Sequence, residues 1–248
     1  MTVPIFLSPA LPSELLSYIL NHHVYPTTLI ICSSQADFIA SAVDDMRQQS
    51  RGNTPSADLR EPFEGEPTHH HGPSGEDGKV KHALLSSSPL CQVAISRHIR
   101  IIYVPTVTHL RAYLTVFSPD DSRVPIPPTF ALAGEKRAHI ILYGFLKLHR
   151  DTSEWSAQGL SNTTSTLVEL TQRLCWTALL IEPRSGGRAL ALEELLKEAV
   201  PILNGGARRL GPDPEEGVWT GRTVEVGRIM GRWARFQRAP WDVDGYHE

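Results

Sequence analysis

The stretch Thr28–Met46, TLIICSSQADFIASAVDDM, decides the fold class. Leu29–Cys32 is an unbroken apolar run rich in β-branched residues, the pattern of a strand covered on both faces. Ser33 and Ser34 follow, each a suitable helix N-cap, and Asp37 falls where a helix dipole favours an acid. Phe38, Ile39, Ala42 and Val43 then recur on one side of a helix. The unit is strand, tight turn, helix. A phosphate-cradling loop at such a turn needs glycines for close backbone approach, a lysine for the outer phosphates and Ser/Thr for Mg²⁺. Ser33-Ser34-Gln35-Ala36-Asp37 has neither glycine nor lysine, and Asp37 repels an anion. The expectation is a nucleotide-binding fold without nucleotide or other cofactor, in which Ser33, Ser34 and Gln35 form a degenerate phosphate loop.

The rest of the chain bounds this expectation. Its 248 residues, 41% hydrophobic and 21% charged, suit one α/β domain with an insertion. A net charge of −3 demands no polyanion as partner. The three cysteines, Cys32, Cys91 and Cys175, are odd in number and far apart, and Cys32 and Cys175 stand in apolar contexts. Buried free thiols and a reducing compartment are expected. Met1–Leu11 has no basic leader pattern, and no stretch approaches the ~20 apolar residues that span a bilayer. A protein without membrane contact is expected.

Strand and helix patterns alternate along the chain. Met1–Pro12 is broken by prolines 4, 9 and 12 and reads as a lead-in. Ser13 and Glu14 open a helix through about Asn21, with Leu15, Leu16, Ile19 and Leu20 inward. Arg47–Pro89 is rich in Gly, Pro and Ser, and its only aromatic is Phe63. It reads as a disordered insertion, since it cannot bury enough apolar surface to offset its ordering entropy. Its His69-His70-His71 run has no Cys or carboxylate framework around it, so no metal site is expected. Leu90–Ile95 reads as a short strand and Ile99–Val104 as a clearer one, followed by a helix capped at Thr106 or Thr108 and carrying Leu110, Leu114 and Phe117. His139–Leu148 is a third strand signal, with its apolar run at Ile140–Tyr143 and Gly144 directly after. Ser161–Trp176 is a helix, Thr177–Ile181 a fourth strand, and Ala189–Val200 a helix stopped by Asn204-Gly205-Gly206. Short apolar strands alternating with helices argue for a mostly parallel sheet with helices on both faces.

The end of the chain changes character. Thr223–Ile229 and Arg232–Gln237, joined at Met230-Gly231, read as an antiparallel β-hairpin. Arg222, Arg228, Arg232, Arg235 and Arg238 stand there against a single acid, Glu225. Residues 239–248 read as a flexible tail.

This layout resembles the RecA-like ATPase core, with its first strand and turn at Leu29–Gln35, a Walker-B-like strand at Ile140–Gly144 and an arginine-rich hairpin at Thr223–Gln237. It is most similar to degenerate members, the short recombinase paralogues of the Shu-complex type that serve as accessory subunits in homologous recombination. The departures are the missing Gly-Lys-Ser/Thr and the missing acid after Ile140–Leu142, where Tyr143 stands instead. No catalytic residue carries over, and no ATPase activity is expected. The resemblance implies a single RecA-like domain over residues 1–248, pairing with another RecA-like or recombinase-accessory subunit, a nuclear location, and a role on single-stranded DNA. A RecA-like subunit of Elongator, which acts in tRNA modification, is the neighbouring alternative.

Guanidinium groups contact phosphates, and Trp233 and Phe236 beside them can stack on unpaired bases. Strand alternation would put Trp233, Arg235 and Gln237 on one face. Arg222, Arg228, Arg232, Trp233, Arg235 and Arg238 are therefore the candidate nucleic-acid contacts. An edge hairpin that uses charge to block strand pairing has the same composition. A serine hydrolase is disfavoured: Ser33-Ser34 lacks the flanking glycines of a nucleophile elbow, and nothing in the spacing links His109 or His139 to it. No G-x-G-x-x-G follows any strand, which excludes a Rossmann dinucleotide site.

Overall fold

A computed structural model of the chain describes residues 3–22, 24–52, 90–127, 137–184, 190–203 and 222–242. Five longer strands, β1 (Ile5–Ala10), β2 (Thr27–Ile31), β3 (Ile99–Tyr103), β4 (His139–Tyr143) and β5 (Thr177–Pro183), form a parallel sheet with a short edge strand, β8 (Arg235–Gln237), in the order β3-β2-β4-β5-β1-β8. β6 (Ala199–Pro201) and β7 (Thr223–Glu225) make a separate antiparallel pair. This is the expected α/β class, a parallel sheet flanked by helices.

The alternation of side chains along the strands sorts the core into two layers. Phe6, Ile30, Ile140, Leu142, Ala178 and Leu180 pack on one side. Over them lie α4 (Val107–Val116), α5 (Phe145–Arg150), α6 (Ala157–Leu174), α7 (Leu190–Lys197) and α8 (Val226–Met230). Leu7, Leu29, Ile31, Ile141, Tyr143, Leu179 and Ile181 face the other way, onto Leu15 and Ile19 of α1 (Pro12–Asn21) and Phe38 of α2 (Gln35–Gly52). β2 is buried at every position because both layers cover it.

Several expectations are corrected. The proline-broken lead-in contains β1, a central strand between β5 and β8. Pro4 precedes the strand, and the register shifts between Leu7 and Ala10, where Pro9 cannot donate to a ladder. Leu90–Ser96 is a helix, α3, not a strand. α2 runs to Gly52, into the stretch expected to be disordered, while residues 53–89 lie outside the described residues. α6 starts at Ala157, capped by Ser156, whose hydroxyl accepts the Gly159 N–H at 3.0 Å. Cys32 is buried as expected, but Cys175 is exposed, at the α6 C-cap with φ 56°.

The C-terminal hairpin is the largest correction. Thr223–Glu225 pairs antiparallel with Ala199–Pro201, Val226–Met230 is helical, and Arg235–Gln237 pairs parallel with β1. Val226, Ile229 and Met230 recur at helical spacing, and burying all three against α6 and α7 outweighs the strand-like alternation. Ala239–Asp242, read as the start of a free tail, is docked: Ala239 is buried, and the Trp241 indole N–H donates to the Pro9 carbonyl at 3.0 Å. Residues 243–248 lie outside the described residues.

Candidate functional site

In open α/β sheets ligands sit beyond the carboxyl ends of the strands, where the connections diverge to opposite faces. Here β1 and β2 lead into α1 and α2 on one face, while β4 and β5 lead into α5 and α7 on the other. β3 likewise leads into α4 on that second face, so the β1–α1 and β2–α2 turns border the crevices where neighbouring connections diverge.

Each turn holds a carboxylate of the chain's own. At β2–α2 the Ser34 hydroxyl accepts the Asp37 N–H at 3.1 Å and donates to the Asp37 carboxylate at 2.6 Å. Ser33 and Gln35 flank this closed cap. At β1–α1 the Glu14 carboxylate accepts the Leu11 N–H at 2.8 Å, and the buried Asp45, reaching over from α2, accepts the Ser13 N–H at 2.9 Å. Gln49 braces this arrangement, donating to the Ser13 hydroxyl at 2.7 Å and to Asp45 at 2.8 Å. Arg184, just past β5, pairs with Glu14 at 3.1 Å, and its guanidinium also donates to the Pro9 carbonyl at 3.2 Å. Burial pushes the Glu14 carboxyl above its ordinary value, partly offset by the Leu11 N–H and by Arg184. Helix N-termini attract anions through free N–H groups and the dipole. At α1 those N–H groups are already spent on carboxylates, and at α2 the Asp37 N–H is spent on the Ser34 hydroxyl with the Asp37 carboxylate beside it.

Tyr143, at the place where an acid was sought, donates its hydroxyl to the Ala10 carbonyl at 2.9 Å. Burial first, then the nearby Glu182, raises its pKa. The acid lies one strand over: Tyr143 is level with Ile181, and Glu182 follows. Glu182 is 3% exposed and accepts the N–H groups of Leu146 (2.7 Å) and Lys147 (3.2 Å) at the start of α5. Burial pushes its pKa up to about 7, against the pull of those amides and of Lys147. Glu182 borders a cleft of about 710 Å³ lined also by Pro9, Lys147, Arg150, Lys197 and Glu198. The cleft is mixed in sign, and Arg150 is paired with Glu198 at 3.1 Å. Glu14, Asp45, Glu182 and Arg184 were all missed as site residues. The signal available for Glu182 was an acid directly after the apolar run TALLI.

The arginines are dispersed over several elements. Arg222 precedes β7, Arg228 is on α8, Arg232 lies in the following turn, Arg235 is on β8 and Arg238 lies beyond it. All five are exposed. Among the described residues none of the five makes an ion pair or a side-chain hydrogen bond, in contrast to Arg111, Arg150 and Arg184. Arg228 and Arg232 share a shallow cleft of about 300 Å³ with Gln158, Ser161 and Asn162 of α6. Trp233 does not share a strand face with Arg235: it lies in the turn, its N–H donating to the Met230 carbonyl at 2.9 Å. Its indole is half-buried, with Nε1 sealed from solvent and unpaired.

The histidines do not complete a hydrolytic site. β2 and β4 pair in register, Thr27 with His139 and Ile31 with Tyr143, so His139 lies at the opposite end of the sheet from Ser33 and Ser34. His109 is exposed in the first turn of α4. Among the described residues no group of three His, Cys, Asp or Glu side chains is placed to hold a metal ion, and His69–His71 lie outside them. No helix among the described residues is long and apolar enough to cross a membrane.

No family model matches the chain, and no curated protein matches it. Among solved structures the chain is similar to a DnaB-like replicative helicase studied for its interactions with primase, at 12% identity and a TM-score of 0.33. The match covers 74% of this chain and 39% of that one, so the chain spans well under half of that protein's length. The fold class rests on the sheet itself.

Proposed function

We propose that this chain is a non-catalytic RecA-like subunit of a nuclear homologous-recombination or DNA-repair complex. It pairs with another RecA-like or recombinase-accessory subunit and presents an arginine-bearing face to single-stranded DNA. The observation that carries this proposal is the occupancy of the two turns at the carboxyl ends of β2 and β1: an arriving phosphate meets Asp37 beside Ser34 in the expected phosphate loop, and Glu14 and Asp45 at α1, where a nucleotide site needs free N–H groups and a lysine. Five exposed arginines, none of them in an ion pair among the described residues, support the DNA contact.

The test is a salt series of single-stranded DNA binding by the purified chain, alone and with co-purified partners, beside an ATP titration. Binding should weaken steeply with salt. The Arg228→Ala/Arg232→Ala variant should lower the slope of log K against log salt by about 1.4, at roughly 0.7 per phosphate contact. ATP should not bind the chain purified alone. Absence of DNA binding in every complex sinks the DNA role, and ATP binding by the chain alone sinks the non-catalytic assignment.

A further inference from the structure

We infer that Phe236 is a base-stacking platform for single-stranded DNA, with Arg228 and Arg232 holding phosphates of the same strand. The inference rests on the DNA contact proposed above and assigns its aromatic residue. Of the two aromatics among the arginines, Trp233 is half-buried with its indole N–H sealed inside, while Phe236 is 46% exposed. Phe236 is level with Phe6 on the neighbouring strand, and their ring centroids lie 5.3 Å apart at an interplanar angle of 34°. A Cβ placed on Gly231 would lie 4.0 Å from the Phe236 ring. The ring is thus supported by Phe6 and passes beside Gly231, on a residue that is nearly half exposed.

The strand register decides which arginines accompany it. Phe6 belongs to the core layer under α6 and α8, so Phe236 emerges on that face, whereas Arg235 is level with Ile5, which packs into the opposite layer. Arg232 follows Gly231 directly and shares its cleft with Arg228. Arg232, one residue from the Gly231 that the ring passes, and Arg228, which shares its cleft, have no acid paired to them among the described residues, and such a set fits the alternating phosphates and bases of a single strand. A duplex keeps its bases stacked inside and offers no face to the ring.

The experiment compares oligo(dT) with an abasic strand of the same length at one salt concentration. The proteins are the wild-type chain, Phe236→Leu, which keeps an apolar contact with Phe6, and Phe236→Trp, which keeps a π-face. The wild type and Phe236→Trp should bind oligo(dT) about tenfold or more tightly than the abasic strand, and Phe236→Leu should bind both alike. Thermal unfolding checks that the variants are folded. Equal binding of both strands by the wild type, or an unchanged preference in folded Phe236→Leu, overturns the stacking role and leaves the DNA contact standing. No binding of either strand by the wild type overturns both.

Discussion

Glu14 and Arg184 lie 3.1 Å apart across the turn that joins β1 to α1, so the carboxylate that caps the helix also fastens the end of β5. The pair is mostly enclosed, with side chains 21% exposed on each partner. Removing Glu14 leaves the Leu11 N–H uncapped and strips Arg184 of its nearest acid. Glu14→Ala should cost about 1–2 kcal/mol of stability in urea unfolding. A loss below a few tenths of a kcal/mol would show that the cap contributes nothing.

Glu182 makes stability depend on pH in the direction opposite to an ordinary paired carboxylate. Its folded pKa, about 7, lies above the unfolded value near 4.5, so the folded state holds the proton longer. Its contribution is present below about pH 4.5 and is lost as pH rises to about 7, roughly 3 kcal/mol in all. Relative to wild type, Glu182→Gln should therefore gain stability as the pH is raised from about 5 to about 8. Parallel profiles of unfolding free energy for the two proteins would refute this.

His149 acts in the other sense. It is fully buried. Its Nδ1 donates to the Phe145 carbonyl at 2.8 Å, and its Nε2, 2.9 Å from the Thr163 hydroxyl, accepts from it. Burial, with Arg111 nearby, lowers its pKa to about 4 from 6.5. The unfolded chain takes up the proton first, so stability is full above about pH 6.5 and falls by roughly 3 kcal/mol as the pH drops to about 4. His149→Leu should flatten this acid limb, because Thr163 can then donate to the Gly159 carbonyl 3.2 Å away. Denaturant midpoints between about pH 7 and pH 5 are the readout.

Two glycines are required for different reasons. A Cβ on Gly159 would collide with the Glu154 carbonyl oxygen, and backbone cannot step aside as a side-chain tip can. The Gly159 carbonyl also receives Arg111 at 2.9 Å. Gly159→Ala should cost about 3 kcal/mol or more. At Gly144 a Cβ has room, with its nearest neighbour at 3.6 Å, but φ is +86°. Gly144→Ala should cost only about 1 kcal/mol, from backbone conformation alone. Thermal unfolding of the two variants side by side should rank them in that order.

Much of the sheet was legible because its strands are short apolar runs bounded by turn residues. Leu29–Ile31, Ile99–Tyr103, Ile140–Tyr143 and Thr177–Ile181 all fall in parallel strands, whereas the second half of the His139–Leu148 strand signal belongs to α5, after the turn at Gly144. β1 was hidden because Pro4 and Pro9 break its pattern locally, while its burial comes from β5 and β8, far away in sequence. The terminal hairpin failed for the converse reason. Residues 223–229 alternate locally, but Val226, Ile229 and Met230 gain more by packing as one helical face.

Local chemistry in the sequence determined the α/β class, the absence of a Gly-Lys-Ser/Thr loop after β2 and the density of arginine near the end of the chain. These are properties of composition and of contacts a few residues apart. Tertiary structure alone decided that Asp45 closes α1 from 32 residues away, that Arg184 reaches Glu14, and that Phe236 and Arg235 emerge on opposite faces of the sheet. Each depends on which strand lies beside β1 and in what register. That is set by burial of whole elements against one another, and no local pattern encodes it.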